Sequence, residues 1–547
     1  MIKKLSTTQK IFLGIFLVTI FAYCFNAFKE PDAFYHLKAG QVILESASIP
    51  KIDPFSFVSN GAEWIPHEWL SEILLFLSYK IGGYWGVIAF VALLGTLASF
   101  ILFTVSLKRG VNFYLSLIGI LALNALTFEL WIGRPQVFSY LFVPLLIYLL
   151  ERFKETGKNI NLIFSGFIIL VWANMHAGFI LGIAIVFAYL LGWVVNHRLK
   201  LASAPDLVKL KKLAWLFIIL PFISLLNPSG YKIFTYSSVI MPAVEKLRVS
   251  EWYPITDFLY MDETKIYLIQ IIVFGLVGIF WFLQKRERRD FASIFLFLGI
   301  SYLPFISIRH VGFWPVALLP FILEGIQGFI FKKVEDRFIV KDISILAWII
   351  ILLFFIPKLF FFPRQYYNPK TVPNGAAEFI KTEGLKGPIF NVYNDGGFMI
   401  WNLYPEKIFI DGRSEVYSLD KIDDYLAITG GAPHWQKLVD EKYKLEYFLI
   451  AYRMNPEGLM PMIANLEKND WKLVYWDDLS VIYVRDNEQN EEIIKKYALE
   501  FVGPFRNAAK LSDEDKKRAF AELGRVLERV DNSEIIQEYT RILMSKN

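Results

Sequence analysis

The chain is poor in cysteine and in charge. Cys24 is the single cysteine among 547 residues, so no disulfide can form within the chain and any exported part must hold together by packing alone. Charged residues make up 20% and apolar residues 55%, against about 25% and about 45–50% in ordinary soluble chains. These values argue for many membrane spans. No glycine-rich loop of the kind that cradles a nucleotide phosphate occurs. Charge inside the long apolar runs is nearly absent too, since Glu129 and Glu324 lie close to run ends. That counts against a transporter, which needs polar groups at mid-membrane depth. After Arg364 no comparable apolar run appears.

What is present reads as a polytopic membrane protein. A span needs about 20 apolar residues, and runs of that kind lie near 9–28, 83–107, 111–131, 135–150, 160–174, 177–195, 213–227, 265–283, 291–307, 311–330 and 343–362. Lys and Arg gather in alternate connections, around Lys3, Lys108, Arg152, Arg198, Lys285 and Lys332. The basic set is expected on the cytoplasmic side, with the N-terminus inside and the C-terminal region outside. The first segment lacks a small-x-small cleavage site at Asn26-Ala27-Phe28-Lys29 and reads as an uncleaved anchor. The net charge of +5 is spread over the cytoplasmic loops, which suits membrane lipids and not nucleic acid. An exported region without cysteine fits a bacterial cytoplasmic membrane better than an animal cell surface.

Threading these runs puts six polar clusters on the outer face. They are Asp32 with His36, Asp53 with His67 and Glu68, Arg134, Asn174 with His176, Glu251 with Trp252, and Arg309 with His310. Ionisable groups at span ends are costly and mark sites. Asp32 and His36 share a face if the segment is helical, and a carboxylate beside an apolar surface can serve as a general base or a cation ligand. Asp32 is equally well explained as a helix-start residue, and His67 and Glu68 as interfacial polar groups. Arg134 either snorkels to headgroups or offers phosphate a planar fork. Together Arg134, His176, Arg309 and His310 suit a lipid-linked phosphate, while Asp53, Asn174, Glu251 and Trp252 fit an acceptor groove or a lid formed by the outer loop 228–264.

The ordered set Pro31-Asp32-Ala33-Phe34-Tyr35-His36, Ile52-Asp53-Pro54-Phe55-Ser56, His67-Glu68-Trp69-Leu70, Arg134-Pro135-Gln136, Asn174-Met175-His176-Ala177-Gly178-Phe179, Leu226-Asn227-Pro228 and Arg309-His310 resembles a bacterial membrane family of C-type (GT-C) glycosyltransferases. Asn394-Asp395-Gly396-Gly397 and Phe409-Ile410-Asp411-Gly412-Arg413 extend the resemblance to about residue 485. It implies transfer of a sugar from a polyprenyl-phosphate donor to an envelope glycan, lipid or protein acceptor outside the membrane. It also implies that the acidic residue of the first outer loop, here Asp32, is the base or a metal ligand, with His36, His67 and Glu68 beside it. A divalent cation (Mg or Mn) would be held by Asp32 with His67 or Glu68. The chain departs from the pattern in carrying no contiguous acidic pair at Asp32 and in having Ala177 where glycine is more usual. The other readings are a transporter or flippase of a lipid-linked saccharide, and an inactive membrane scaffold.

The expected architecture is an α-helical polytopic domain of about eleven spans over 1–362, with outer loops 29–82 and 228–264. An extracytoplasmic α/β domain follows over 363–488, then a helical tail over 489–547. Pro388–Tyr393, Lys407–Asp411, Glu446–Tyr452, Trp471–Trp476 and Leu479–Val484 read as strands of a mainly parallel sheet. Asp395-Gly396-Gly397 and Asp411-Gly412-Arg413 read as turns or as site loops. Leu511–Asp515 opens a helix that caps the domain or docks a partner.

Overall fold

The structure, a computed structural model, describes residues 5–28, 31–258, 290–330, 371–454, 456–506, 510–530 and 533–544, with a few single positions between them. The expected spans 265–283 and 343–362 lie outside the described residues. The chain divides into two compact units. One holds 1–27, 65–236 and 248–366; the other holds 28–64, 237–247 and 367–547.

The described residues of the first unit form helices joined by loops. Among the described residues, five helices are long and apolar enough to cross a membrane: Thr7–Cys24, Trp69–Lys108, Gln136–Thr156, Phe179–Arg198 and Ile308–Gly328. Shorter apolar helices include Asn159–Ala173 and Phe291–Tyr302. The helix expected at 83–107 is preceded by a further helical stretch that starts at Trp69. The backbone then breaks at Gly82–Gly83, where Gly83 takes φ +59°, a conformation open to glycine and strained for other residues. The interior is closed by large side chains with no exposure to speak of, among them Trp172, Trp193, Tyr140 and Tyr189.

Polar residues gather at the two ends of this bundle. At one end the C-terminal turn of Trp69–Lys108 brings Arg109 to Glu151 (3.1 Å) and Glu324 (2.7 Å). Lys154 reaches Asp290 at 2.7 Å, and the Asn196 amide donates to the same carboxylate at 2.8 Å. Glu324, which reads in the sequence as a stray charge near a span end, is thus paired. The opposite ends of the same helices carry the residues described below.

The second unit is an α/β body. Its four strands, β1 Ile389–Asn391, β2 Tyr447–Ile450, β3 Trp471–Trp476 and β4 Val481–Arg485, run in the order β1-β2-β4-β3. Only β1 and β2 are parallel; β2–β4 and β3–β4 are antiparallel, which corrects the mainly parallel expectation. The reason is local. Residues 477–480 between β3 and β4 are too few for a crossover, and the Asp477 carboxylate accepts the N–H groups of Leu479 (2.9 Å) and Ser480 (2.6 Å) to make a hairpin turn. Lys407–Asp411 is not a strand. Ile408 instead pairs with the early segment Phe55–Phe57 through two backbone bonds of 3.0 and 3.1 Å, and the Asn391 side chain bonds the backbone of Phe409 and Ile410.

The early helix Asp32–Ser46 packs on Gly396–Leu403, with Phe34 edge-on to Phe398 at 4.9 Å and the Lys38 ammonium 4.7 Å over Trp401. In the tail, helices Asp513–Leu527 and Glu534–Met544 dock on the sheet side. Glu522 accepts three successive N–H groups from residues 500–502, and Tyr539 meets Trp476 edge-on.

Candidate functional site

Four helices of the first unit begin beside one another: Trp69–Lys108, Gln136–Thr156, Phe179–Arg198 and Phe313–Ile330. The residues just before them are Glu68, Arg134, His176 and Arg309. Helix N-termini present unpaired N–H groups and partial positive charge, so this end of the bundle suits an anion even before the arginines are counted.

Glu68 is the centre of the arrangement. One of its oxygens lies 3.6 Å from His67 Nε2 and 3.8 Å from His176 Nε2. Burial pushes its carboxyl up to about 7, against the pull of Arg134 and Arg309. His67 Nδ1 contacts the Ile65 carbonyl at 3.1 Å, so that nitrogen donates, and Nε2 faces Glu68. His176 is fixed the other way. Its Nδ1 accepts from the Gly178 N–H at 3.0 Å and from Ser139 Oγ at 2.7 Å, because that hydroxyl already accepts from Trp172 Nε1 at 2.7 Å. The imidazole proton therefore sits on Nε2, facing Glu68. Burial, then Arg309, His67 and Arg134, hold the His176 pKa well down, so this ring is neutral.

Arg134 and Arg309 share one carboxylate. Glu251 Oε2 is 3.4 Å from Arg134 and Oε1 is 3.8 Å from Arg309. The two arginines outweigh burial and keep Glu251 ionised below the usual range. Arg309 also stacks over Trp252 at 4.2 Å. The Glu251 turn is pinned by Ser307 Oγ donating to the Glu251 carbonyl and by the Ile308 N–H donating to Tyr253 O, both at 2.8 Å. Asn174 joins helix starts, accepting from Trp69 Nε1 at 2.9 Å and from the Leu70 N–H through its carbonyl. His310 follows Arg309 in the same turn, and its Nδ1 is buried with no hydrogen-bond partner. Six of the residues singled out in the sequence thus meet around Glu68 and Glu251: His67, Glu68, Arg134, His176, Glu251 and Arg309. Ser139 and Trp172, which set the His176 tautomer, were not legible, since each sits inside an apolar run like any core residue.

Asp32, His36 and Asp53 belong to the second unit. Asp32 opens its helix after Pro31. A Cβ placed on Gly412 would fall 2.6 Å from Asp32 Oδ1, and one on Gly397 would fall 2.5 Å from the Pro31 carbonyl. Two loop glycines are therefore what lets the Asp32 turn lie so close. His36 is buried, with its ring 4.0 Å from that of Tyr35. Asp53 is buried and bound by Arg413 Nη1 at 2.6 Å. Arg413 also grips Asp411 through Nε (2.8 Å) and Nη2 (2.7 Å), and the Tyr417 hydroxyl donates to Asp411 at 2.7 Å. Burial opposes the charge on Asp53, yet Arg413 and the Ser59 hydroxyl hold its pKa below the usual range. The Asp411-Gly412-Arg413 segment thus secures the early loop from within. Asp395 is buried with Oδ2 unpaired, and burial pushes its carboxyl up to about 7.

Among the described residues no group of three or more His, Cys, Asp or Glu is arranged to hold a metal ion.

No protein-family model and no curated protein sequence matches this chain. Solved structures do, and they share the fold of this chain. The oligosaccharyltransferase of Archaeoglobus fulgidus, tethered to an acceptor peptide, aligns over 87% of this chain and 74% of its own with TM-score 0.55 and 11% identity. ArnT from Cupriavidus metallidurans aligns over 86% of this chain and 97% of its own (TM-score 0.53, 12% identity). The mycobacterial arabinofuranosyltransferase AftD aligns over 88% of this chain and 40% of its own (TM-score 0.53, 13% identity).

Proposed function

We propose that this chain is a membrane glycosyltransferase that moves a sugar from a polyprenyl-phosphate donor to an envelope glycan, lipid or protein acceptor at the outer face of the bacterial cytoplasmic membrane. The observation that carries the reading is the Arg134–Arg309 pair at four converging helix starts, in a fold shared with solved glycosyltransferases. An archaeal relative in fold has been solved with dolichol-phosphate and an inhibitory peptide. In transfer, the bond from the sugar's anomeric carbon to the phosphate oxygen breaks with its electron pair going to phosphate, the acceptor oxygen bonds to that carbon, and the acceptor proton passes to a base. Arg134 and Arg309 stabilise the charge that grows on the departing phosphate. His176, as a fixed Nε2–H donor, and Glu68, near its titration point, orient polar groups of donor or acceptor. Asp32, the acidic residue that the family resemblance points to, is the proposed base. His36 supports its helix, and Asp53 supports the loop around it. A divalent cation, if bound, would be held by Asp32 with His67 or Glu68, and no step above depends on one.

The test is transfer itself. Purified protein in lipid nanodiscs is given a labelled polyprenyl-phosphate sugar and an envelope extract, and label moving from lipid to acceptor is measured. Arg134→Gln and Arg309→Gln are expected to lose at least 100-fold in rate, and folded Asp32→Asn to lose transfer. Movement of intact donor across vesicles without loss of its sugar would replace this reading with a flippase.

A further inference from the structure

The carboxylate of Glu251 sits where an anion would bind. It is the shared partner of Arg134 and Arg309, and neither contact closes to the 2.7–2.9 Å of a good charge-assisted hydrogen bond; the distances are 3.4 and 3.8 Å. A two-oxygen group is bridging a gap wider than it fills. The non-bridging oxygens of a phosphate group, two on a diester and three on a monoester, stand on a larger tetrahedral centre than a carboxylate carbon and suit that gap better. The Glu251 side chain is also over a third exposed, whereas its backbone is tied down by Ser307 and by the neighbouring Ile308–Tyr253 bond. The side chain can turn outward while the loop stays in place.

Resting on the proposed phosphate seat, we propose that Glu251 is a built-in competitor for it: the side chain occupies Arg134 and Arg309 when no phosphate is bound and is displaced by the phosphate group of the substrate. With Glu251 turned away, the two arginines face the phosphate of the substrate, and after transfer the returning carboxylate speeds departure of the phosphate product. Trp252 beside it keeps Arg309 in place through either state, since the stacked guanidinium needs no ion partner to hold its plane.

The experiment measures binding of inorganic phosphate, of polyprenyl phosphate and of phosphatidylglycerol to wild type, Glu251→Gln, Glu251→Asp and Arg134→Gln in nanodiscs. Glu251→Gln is expected to bind polyprenyl phosphate at least tenfold more tightly, Glu251→Asp to fall between, and product inhibition to rise in step. Inorganic phosphate following the same order shows that the headgroup alone is recognised; a gain confined to polyprenyl phosphate shows that the lipid is required as well. A gain for phosphatidylglycerol alone overturns the proposal, because the seat would then serve bulk lipid. Binding unchanged or weaker in Glu251→Gln, with Arg134→Gln impaired, overturns the competitor role and leaves the phosphate seat standing. No phosphate binding in any form sinks the seat and the competitor together. In the wild type, carbodiimide coupling of Glu251 to a small amine, read by peptide mass spectrometry, is expected to increase when phosphate is added; no increase overturns displacement without recourse to any variant.

Discussion

Arg413 is the residue whose removal should cost the second unit most. Its guanidinium is almost fully buried and pairs with two carboxylates that are themselves without exposure, Asp53 and Asp411. Its plane lies 4.8 Å from Phe55 and 5.0 Å from Trp64. Arg413→Met keeps the stem and deletes the charge, leaving both acids unpaired in the interior. Breaking one buried pair in this way costs about 3–5 kcal/mol. For a body of this size each kcal/mol shifts Tm by about 2–4 °C, so a fall of roughly 10 °C is expected at pH 7.5, followed by tryptophan fluorescence of the whole protein in detergent. The sign with pH provides a second check. In wild type the depressed Asp53 pKa contributes stability above the unfolded carboxylate pKa of about 3.9, and this is lost as pH falls through the lower folded value. In Arg413→Met the stranded acids take up protons more readily than in the unfolded chain, so the variant should regain part of its Tm between pH 7.5 and about pH 5. Adding Asp53→Asn to Arg413→Met should cost less than Asp53→Asn alone. A Tm within about 2 °C of wild type at pH 7.5, or independent effects of the two changes, would refute the reasoning.

Two more expectations follow from the carboxyls displaced upward. Glu68 is protonated below about pH 7; above it the new negative charge beside Arg134 and Arg309 opposes phosphate. Binding of a phosphate-headed lipid should weaken by roughly tenfold, about 1.4 kcal/mol, between pH 6 and 8.5, and a pH titration of Glu68→Gln should lack that step. For Asp395, a folded pKa of about 7 against an unfolded value of about 3.9 means that stability falls as pH climbs between them, by up to about 4 kcal/mol. Asp395→Asn should then match wild type near pH 4.5 and melt several degrees higher at pH 8.5; a Tm difference that does not change with pH would refute this.

Much of the helical unit can be read from residue order. Long apolar runs admit few alternatives once each backbone amide must be satisfied within its own segment, and the residues flanking them, Glu68, Arg134, His176 and Arg309, were recognisable because charge is so sparse there. The α/β body was less legible. Lys407–Asp411 has the apolar alternation of a strand, but its backbone is taken by Phe55–Phe57 and by the Asn391 side chain, a pairing across more than 350 residues that no local pattern contains. The Asp411-Gly412-Arg413 turn was visible as a turn; that its arginine is buried between two acids was not.

The sequence by itself therefore determined that the chain is helical and suited to a membrane, where its apolar runs begin and end, and which polar residues stand at those ends. Hydrophobic length and period are local properties, and they suffice for that. Only the tertiary structure decided which of these groups share a partner. Glu251 lies 117 residues from Arg134, and whether such residues meet depends on how helices pack, a balance of many contacts summed over the whole bundle. The same balance set the pKa values, since burial and the charges around a carboxyl come from neighbours that the chain brings in from elsewhere.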